Sequence, residues 1–147
     1  MNKTLCDLFA ESRARKFATD AGTHMHERLR KITIDGQNIS GDTTLAEKII
    51  NLDGCAKYFT PAAKTEVPIA GTINGKFISR RIDRMIIDNA TQTICILDYK
   101  TDINPDAFRY KYIAQLREYR ELLKAVFPGH AISAAILWTH NWQLENL

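Results

Sequence analysis

The stretch Lys64–Thr101, KTEVPIAGTINGKFISRRIDRMIIDNATQTICILDYKT, decides the fold. Asn74-Gly75, held between Ile73 and Lys76, is a two-residue hairpin signal, because a type I′ loop needs positive φ at both central positions. It predicts strands over Lys64–Ile73 and Lys76–Asp88, and its register carried back sets Glu66 opposite Asp83. The run Asp88-Asn89-Ala90-Thr91-Gln92 marks the next reversal. With Ala90-Thr91 as its loop, a third strand over Thr93–Thr101 sets Asp83 opposite Asp98. Directly opposed side chains share a face about 5 Å apart, so Glu66, Asp83 and Asp98 are expected in one row. Lys100, two residues on from Asp98, falls on the same face. A one-residue slip or a bulge breaks that row.

A row of carboxylates repels itself unless protons or a cation neutralise it. A hard divalent cation such as Mg²⁺ does so with one or two carboxylates, waters and substrate phosphate oxygens. A lysine beside the ion orients water or stabilises charge on a phosphate. The chemistry implied is metal-assisted hydrolysis of a phosphodiester. The strand itself supports a buried setting: Ile94 and Ile96 share a face with Asp98 and Lys100, while Cys95, Leu97 and Tyr99 take the other. Such a strand is apolar on both sides until its polar end, the pattern of a central strand. For D-x-K taken alone, a surface salt bridge at a strand end is the competing reading.

Outward from this stretch the elements alternate. Pro68 marks the first strand as an edge, since it cannot donate to a ladder, and the ordinary reading of Glu66 is then a solvated edge carboxylate. Asn104-Pro105-Asp106 opens a helix whose core stripe is Tyr112, Leu116, Tyr119, Leu123 and Val126, stopped by Pro128-Gly129. Gln115 and Tyr119 share a helix face, which structural hydrogen bonding explains as well as contact with a nucleic acid does. Ile132–Trp138 reads as a further buried strand, with Trp142 and Leu144 covering an edge. On the N-terminal side, Met1–Asp20 reads as a helical arm carrying Arg13, Arg15 and Lys16, and a helix is expected from Thr23 to Lys31. The run from Ile32 to Asp42 reads as a loop, and Thr44-Leu45-Ala46-Glu47 as a capping box opening a helix that ends near Asp53-Gly54.

With 147 residues, 45% hydrophobic and 25% charged, the chain suits one compact domain, residues 1–147. A net charge of +3 permits nucleic-acid binding without demanding it. No apolar run is long enough to span a membrane and no signal-peptide core opens the chain, so a cytoplasmic protein is the default expectation. Cys6, Cys55 and Cys95 have no zinc or iron–sulfur spacing. No phosphate-binding G-x-x-x-x-G-K-[ST] motif occurs, so a helicase motor is absent from this chain.

The ordered motifs I-D-R at Ile82–Arg84, D-Y-K-T at Asp98–Thr101 and Q-x-x-x-Y at Gln115 and Tyr119 resemble the PD-(D/E)XK nuclease superfamily. More narrowly, they resemble the nuclease domain of the AddA and RecB helicase-nucleases. E-V-P-I at Glu66–Ile69, F-P-G at Phe127–Gly129 and L-W-T at Leu137–Thr139 add to the likeness, which runs from about Gly22 to the end. The resemblance implies a restriction-endonuclease-like α/β fold, a mixed central β-sheet flanked by helices. It implies a Mg²⁺-dependent DNA nuclease of repair and recombination, an exonuclease in which Mn²⁺ substitutes, with DNA as partner and a helicase subunit supplied in trans. Asp83 and Asp98 match the metal-binding acids and Lys100 the motif lysine. His26, in G-x-x-x-H with Gly22, matches a metal-ligating histidine, and the Tyr99 carbonyl joins that set. Gln115 and Tyr119 match a motif that positions DNA or the active-site strand, and Glu66 takes a secondary catalytic place. Phosphate contacts are expected from Arg84, Lys111 and Arg117, with Arg109 and Arg120 beside them. Relatives that hold a cysteine-ligated cluster differ from this chain, for which no iron–sulfur cluster is expected. Arg80 stands where relatives carry glycine, and the span from His26 to Glu66 is shorter than in helicase-linked forms. A catalytically silent module that binds DNA or a helicase partner is the alternative, and a phosphohydrolase of small nucleotides a more distant one.

Overall fold

The computed structural model describes residues 4–5, 22–102 and 105–147. Nearly all of the expected N-terminal arm, with Cys6, lies outside the described residues. A helix over residues 22–30 (α1) leads into a small hairpin, β1 (Thr33–Asp35) and β2 (Asn38–Ser40), then α2 (Thr43–Ile50) and one 3₁₀ turn, Ala56–Phe59. Three strands follow in an antiparallel meander: β3 (Lys64–Ile73), β4 (Lys76–Asp88) and β5 (Thr93–Lys100). The long helix α3 (Pro105–Val126) carries the chain across to β6 (Ala131–Trp138), parallel to β5, and β7 (Gln143–Asn146) closes the order β3-β4-β5-β6-β7. The fold is thus α/β around a mixed five-stranded sheet.

The meander is built from its turns. Asn74 and Gly75 have φ of 51° and 77°, the double positive that the I′ loop demands, and Ile73 faces Lys76 as expected. The second reversal spans Asn89–Gln92, four residues rather than two, with Asp88 Oδ1 accepting the N–H of Ala90 at 3.0 Å and of Thr91 at 3.2 Å. It is centred on the same Ala90-Thr91 bond, so the β4–β5 register is the expected one, from Asp88 opposite Thr93 to Arg84 opposite Leu97. Pro68 lies on β3, an edge of the sheet, where its missing N–H costs no ladder bond.

Each face of the sheet buries its own core. On one side Ile94, Ile96, Ala134, Ile136 and Trp138 meet Leu116, Tyr119, Leu122 and Leu123 of α3. On the other, Leu97, Tyr99, Ala135 and Leu137 meet Leu29 of α1, Leu45, Ala46 and Ile49 of α2, and Phe59. Gly71 lets α3 close on β3: a Cβ there would lie 2.7 Å from Leu122 Cδ2.

Three expectations need correction. Residues 33–40 form the β1–β2 hairpin rather than a loop, with Thr33 opposite Ser40 around Gly36; three-residue strands are too short to display a period of two. The cap of α2 is Asp42, whose Oδ1 accepts the Leu45 N–H at 3.1 Å, and Thr44 is already inside the helix; aspartate caps at least as well as threonine, and it stands two residues earlier. Val126 is exposed, on the rim of a groove between the last turn of α3 and the end of β3, and Phe127 packs on the core in its place. Trp142 and Leu144 do cover an edge, Leu144 from within β7, and both pack on the core beneath α1 and α2.

Candidate active site

β5 and β6 end together at Lys100 and Trp138, where the Thr139 N–H donates to the Lys100 carbonyl at 3.0 Å. Around that end opens a cleft of about 510 Å³ lined by Gly22, Thr23, His26, Glu66, Asp83, Thr101 and Asp102. The carboxyl ends of parallel strands in open α/β sheets are the usual places for ligands.

The residues reach this end by a break in β4. Ile78 and Ile82 point into the core under α3, and so does Met85, while Arg84 points to the opposite side. Alternation therefore changes phase across Asp83. β3 does the same across from it: Thr65 faces Arg84 and Val67 faces Ile82, with Glu66 between them at φ 53°. A left-handed residue between two intact registers is a local kink of the kind that re-aims a side chain. The registers of the flanking pairs are thus as read from the sequence, but Glu66 with Asp83 and Asp83 with Asp98 are not among the ladder pairs, and the flat row of the three does not form. Asp83 turns toward α1 and the backbone of β5: its Oδ2 accepts the Tyr99 N–H at 2.8 Å and lies 3.5 Å from His26 Nε2. Glu66 lines the same cleft with Oε2 3.3 Å from Arg81 Nη1.

Asp98 and Lys100 share the α3 face of β5. Lys100 Nζ stands 2.6 Å from Asp98 Oδ2, an approach whose angle makes no hydrogen bond, so this buried oxygen has an electrostatic partner but no directed donor. The ammonium is steered by α3 instead. Gln115 Oε1 accepts from it at 3.0 Å, Gln115 Nε2 donates to the Tyr119 hydroxyl at 2.7 Å, and that hydroxyl donates to the Arg81 carbonyl at 3.4 Å. The Tyr112 ring, 4.3 Å from Nζ, closes the other side, and its hydroxyl donates to Asp102 Oδ2. Gln115 and Tyr119 are therefore a support behind the lysine, not part of the cleft lining. Tyr112, which the sequence assigned to the core stripe, holds Lys100 as well; its place one turn before Gln115 on the same helix was the available signal.

Burial raises the Asp98 carboxyl to about 7, with the Asp83 charge adding to the effect and Lys100 opposing it. Asp83 is lowered: burial works against this, but hydrogen bonds from His26, Asp98 and the Tyr99 N–H prevail. His26 is raised although its own burial opposes that, because the Asp83 carboxylate and the Gly22 carbonyl outweigh it. One acid charged and its neighbour holding a proton is the arrangement two adjoining carboxylates adopt without a cation.

The same atoms suit Mg²⁺. The acceptor-only end of Asp98 is without a directed donor, Asp83 adjoins it, and Mg²⁺ keeps several waters and needs few carboxylates. His26 Nδ1 lies 2.9 Å from the Gly22 carbonyl, and a metal-ligating histidine commonly binds a backbone carbonyl with its other nitrogen. At Tyr99 the backbone N–H is turned toward Asp83, and a residue's N–H and C=O leave an extended strand on the same side, so its carbonyl is turned to β4 as well. Among the described residues, no three His, Cys, Asp or Glu side chains stand together as a ready set of ligands. Cys55 and Cys95 are free thiols.

Arg84, expected at phosphate, is 2% exposed and fully engaged elsewhere. Its guanidinium donates to the Tyr99 hydroxyl at 2.6 Å and to the carbonyls of Tyr58, Leu29, Arg30 and Ile32 at 2.8–3.2 Å, and it lies 4.0 Å over the Phe59 ring. It gathers the open carbonyls at the end of α1, which seats His26 beside Asp83. The phase change at Asp83 is what turns it inward. Lys111 and Arg117 are exposed on α3, Lys111 with its Nζ 5.5 Å over the Phe108 ring. Arg109 pairs with Glu145 of β7, away from the cleft. No protein-family model matches the chain, and no curated protein matches it.

Proposed function

We propose that the chain is a Mg²⁺-dependent nuclease that hydrolyses phosphodiester bonds of DNA, with a restriction-endonuclease-like arrangement of the sheet. The observation that carries this reading is the meeting of Asp83, Asp98, Lys100 and His26 at the carboxyl end of β5, beside an open cleft. Asp83 and Asp98 would hold the ion, with His26 Nε2 and the Tyr99 carbonyl as further candidate ligands. When bound, the ion acts as a Lewis acid on a phosphate oxygen and lowers the pKa of a coordinated water. To hold the ion Asp98 would release its proton to solvent, and His26 would offer Nε2, which faces Asp83. Lys100, held by Gln115, orients the attacking water and offsets negative charge on the phosphate. Glu66, on the rim and paired with Arg81, takes the secondary place.

The test is cleavage of DNA with and without Mg²⁺. Asp98→Ala and Lys100→Ala are expected to lose activity by about 10²-fold or more, in line with removal of one electrostatic stabiliser. Variants that cleave at the parent rate overturn the assignment. The silent, DNA-binding module is the second reading, favoured by the ammonium of Lys100 standing 2.6 Å from Asp98 Oδ2, where it already offsets that carboxyl's charge. Calorimetric titration with Mn²⁺ separates the two: heat that vanishes in Asp98→Ala supports the nuclease, and no saturable heat in the parent supports the silent module.

A further inference from the structure

β4 is longer than the strand it pairs with. Its pairs with β5 run from Arg84 to Asp88, while its pairs with β3 continue out to Lys76. From Val67 to Ile82 the meander is therefore a two-stranded ribbon that projects beyond β5. One face of it is closed by α3, through Ile69 and Ile78. The other is open: Phe77, Ser79 and Arg81 alternate along β4 opposite exposed Thr72, Ala70 and Pro68. Phe77 is 69% exposed, a large aromatic ring at one end of a smooth floor of small side chains. The next position along that face after Arg81 is Asp83, at the cleft. At ~3.3 Å per residue the floor from Phe77 to Asp83 is about 20 Å long.

Between Val67 and Ile82 stand Lys76, Arg80 and Arg81 and no acidic residue. Arg80 pairs with Glu118 of α3 and Arg81 with Glu66 at the cleft, while Lys76 stands exposed at the tip. An open face with an aromatic platform at its tip and cations at its margins, leading to an acid and lysine centre, fits one occupant. We propose that the outer face of the β3–β4 ribbon is a track for single-stranded DNA, with a base stacked on Phe77 and the backbone passing Lys76 and Arg81 toward Asp83. The inference rests on the nuclease reading for the identity of the strand but not for its binding. A base stacks on an exposed ring only when it is unpaired, and stacking with backbone charge is the usual basis of sequence-tolerant single-strand binding. A duplex keeps its bases inside and has no use for Phe77.

The test measures binding apart from cleavage, by fluorescence anisotropy of a labelled oligothymidylate in EDTA over a range of salt concentrations. Phe77→Ala is expected to weaken binding about fivefold or more while leaving the slope of log K against log salt unchanged. Lys76→Ala is expected to make that slope shallower by about 0.7, the value for one backbone contact to a single strand. Both positions are exposed on the hairpin tip, so circular dichroism and melting should match the parent and loss of fold cannot produce either result. The track is overturned if the parent does not bind the oligomer, if both variants bind as the parent does, or if a duplex of equal length shows the same dependence on Phe77. An oligomer bound through Phe77 and Lys76 but never cleaved with Mg²⁺ upholds the track and sinks the nuclease; cleavage with no effect of either substitution does the reverse.

Discussion

Replacing Arg84 by methionine offers the sharpest test of how the site is held. The guanidinium serves five acceptors, four through buried hydrogen bonds and the Arg30 carbonyl through a part-buried one. The Leu29 carbonyl keeps a second donor, the Ile32 N–H at 3.1 Å, so the loss falls on the carbonyls of Tyr58, Arg30 and Ile32 and on the Tyr99 hydroxyl. A buried polar group left without a partner costs about 1–3 kcal/mol. Four such groups at the low end cost about 4 kcal/mol, and relief from burying a charge returns part of it. The expected destabilisation is about 3 kcal/mol, a large share of the ~5–15 kcal/mol available to a domain. Urea unfolding followed by circular dichroism measures it, with Arg84→Lys expected to lose less because an ammonium still offers three donors. A loss below about 1 kcal/mol for the methionine variant would show that α1 is seated by apolar packing alone and that the strut assigned to Arg84 is wrong.

Four further outcomes are expected. In EDTA, Asp98 and His26 both have folded-state pKa values raised, so the stability they contribute is fully present at low pH and lost as pH rises, for Asp98 between about 4 and about 7. Melting temperature should therefore fall from pH 5 to pH 8 more steeply in the parent than in Asp98→Asn; parallel profiles would refute the buried proton. Mg²⁺ should raise the melting temperature more at pH 8 than at pH 5, because at the lower pH it must displace that proton; an equal rise at both pH values counts against Asp98 as a ligand. Gln115→Ala should leave melting within about 1 kcal/mol of the parent yet slow cleavage through kcat rather than KM, since it touches Lys100 and not the cleft; a change in KM alone refutes that placement. Asp42→Ala should cost about 1 kcal/mol through loss of the α2 cap, and thermal unfolding at neutral pH would contradict it if the variant melted with the parent.

How much of this was legible in the sequence depends on what kind of signal each part leaves. The meander was readable because Asn74-Gly75 leaves only one inexpensive backbone solution, and because β5 is apolar on both faces. The second reversal was read with the wrong loop length but the right centre, which is all that register requires. Asp98, Lys100 and Gln115 follow from periodicity of two and of 3.6 on strands and helix. What periodicity cannot carry is a change in its own phase. The kink at Glu66 and Asp83 inverted the expected orientation of everything beside it, which is why Arg84, read as a DNA contact, is a buried strut instead. A glutamate with φ of 53° leaves no compositional trace, whereas glycine at that position would have announced it. The β1–β2 hairpin was lost for the simpler reason that its strands are too short to alternate.

The distribution of the site along the chain sets an order of assembly. Both aspartates and the lysine belong to consecutive strands joined by a tight reversal, so closing that loop costs little chain entropy. The imidazole comes from a helix on the far side of an intervening hairpin, helix and turn, and arrives only when that helix docks. The acidic half is thus expected to be in place before the histidine, and to outlive it when the protein breathes. Hydrogen exchange would reveal this as earlier and cheaper opening of amides near His26 than of those in β5; equal protection in both would mean that the centre forms and dissolves as one unit.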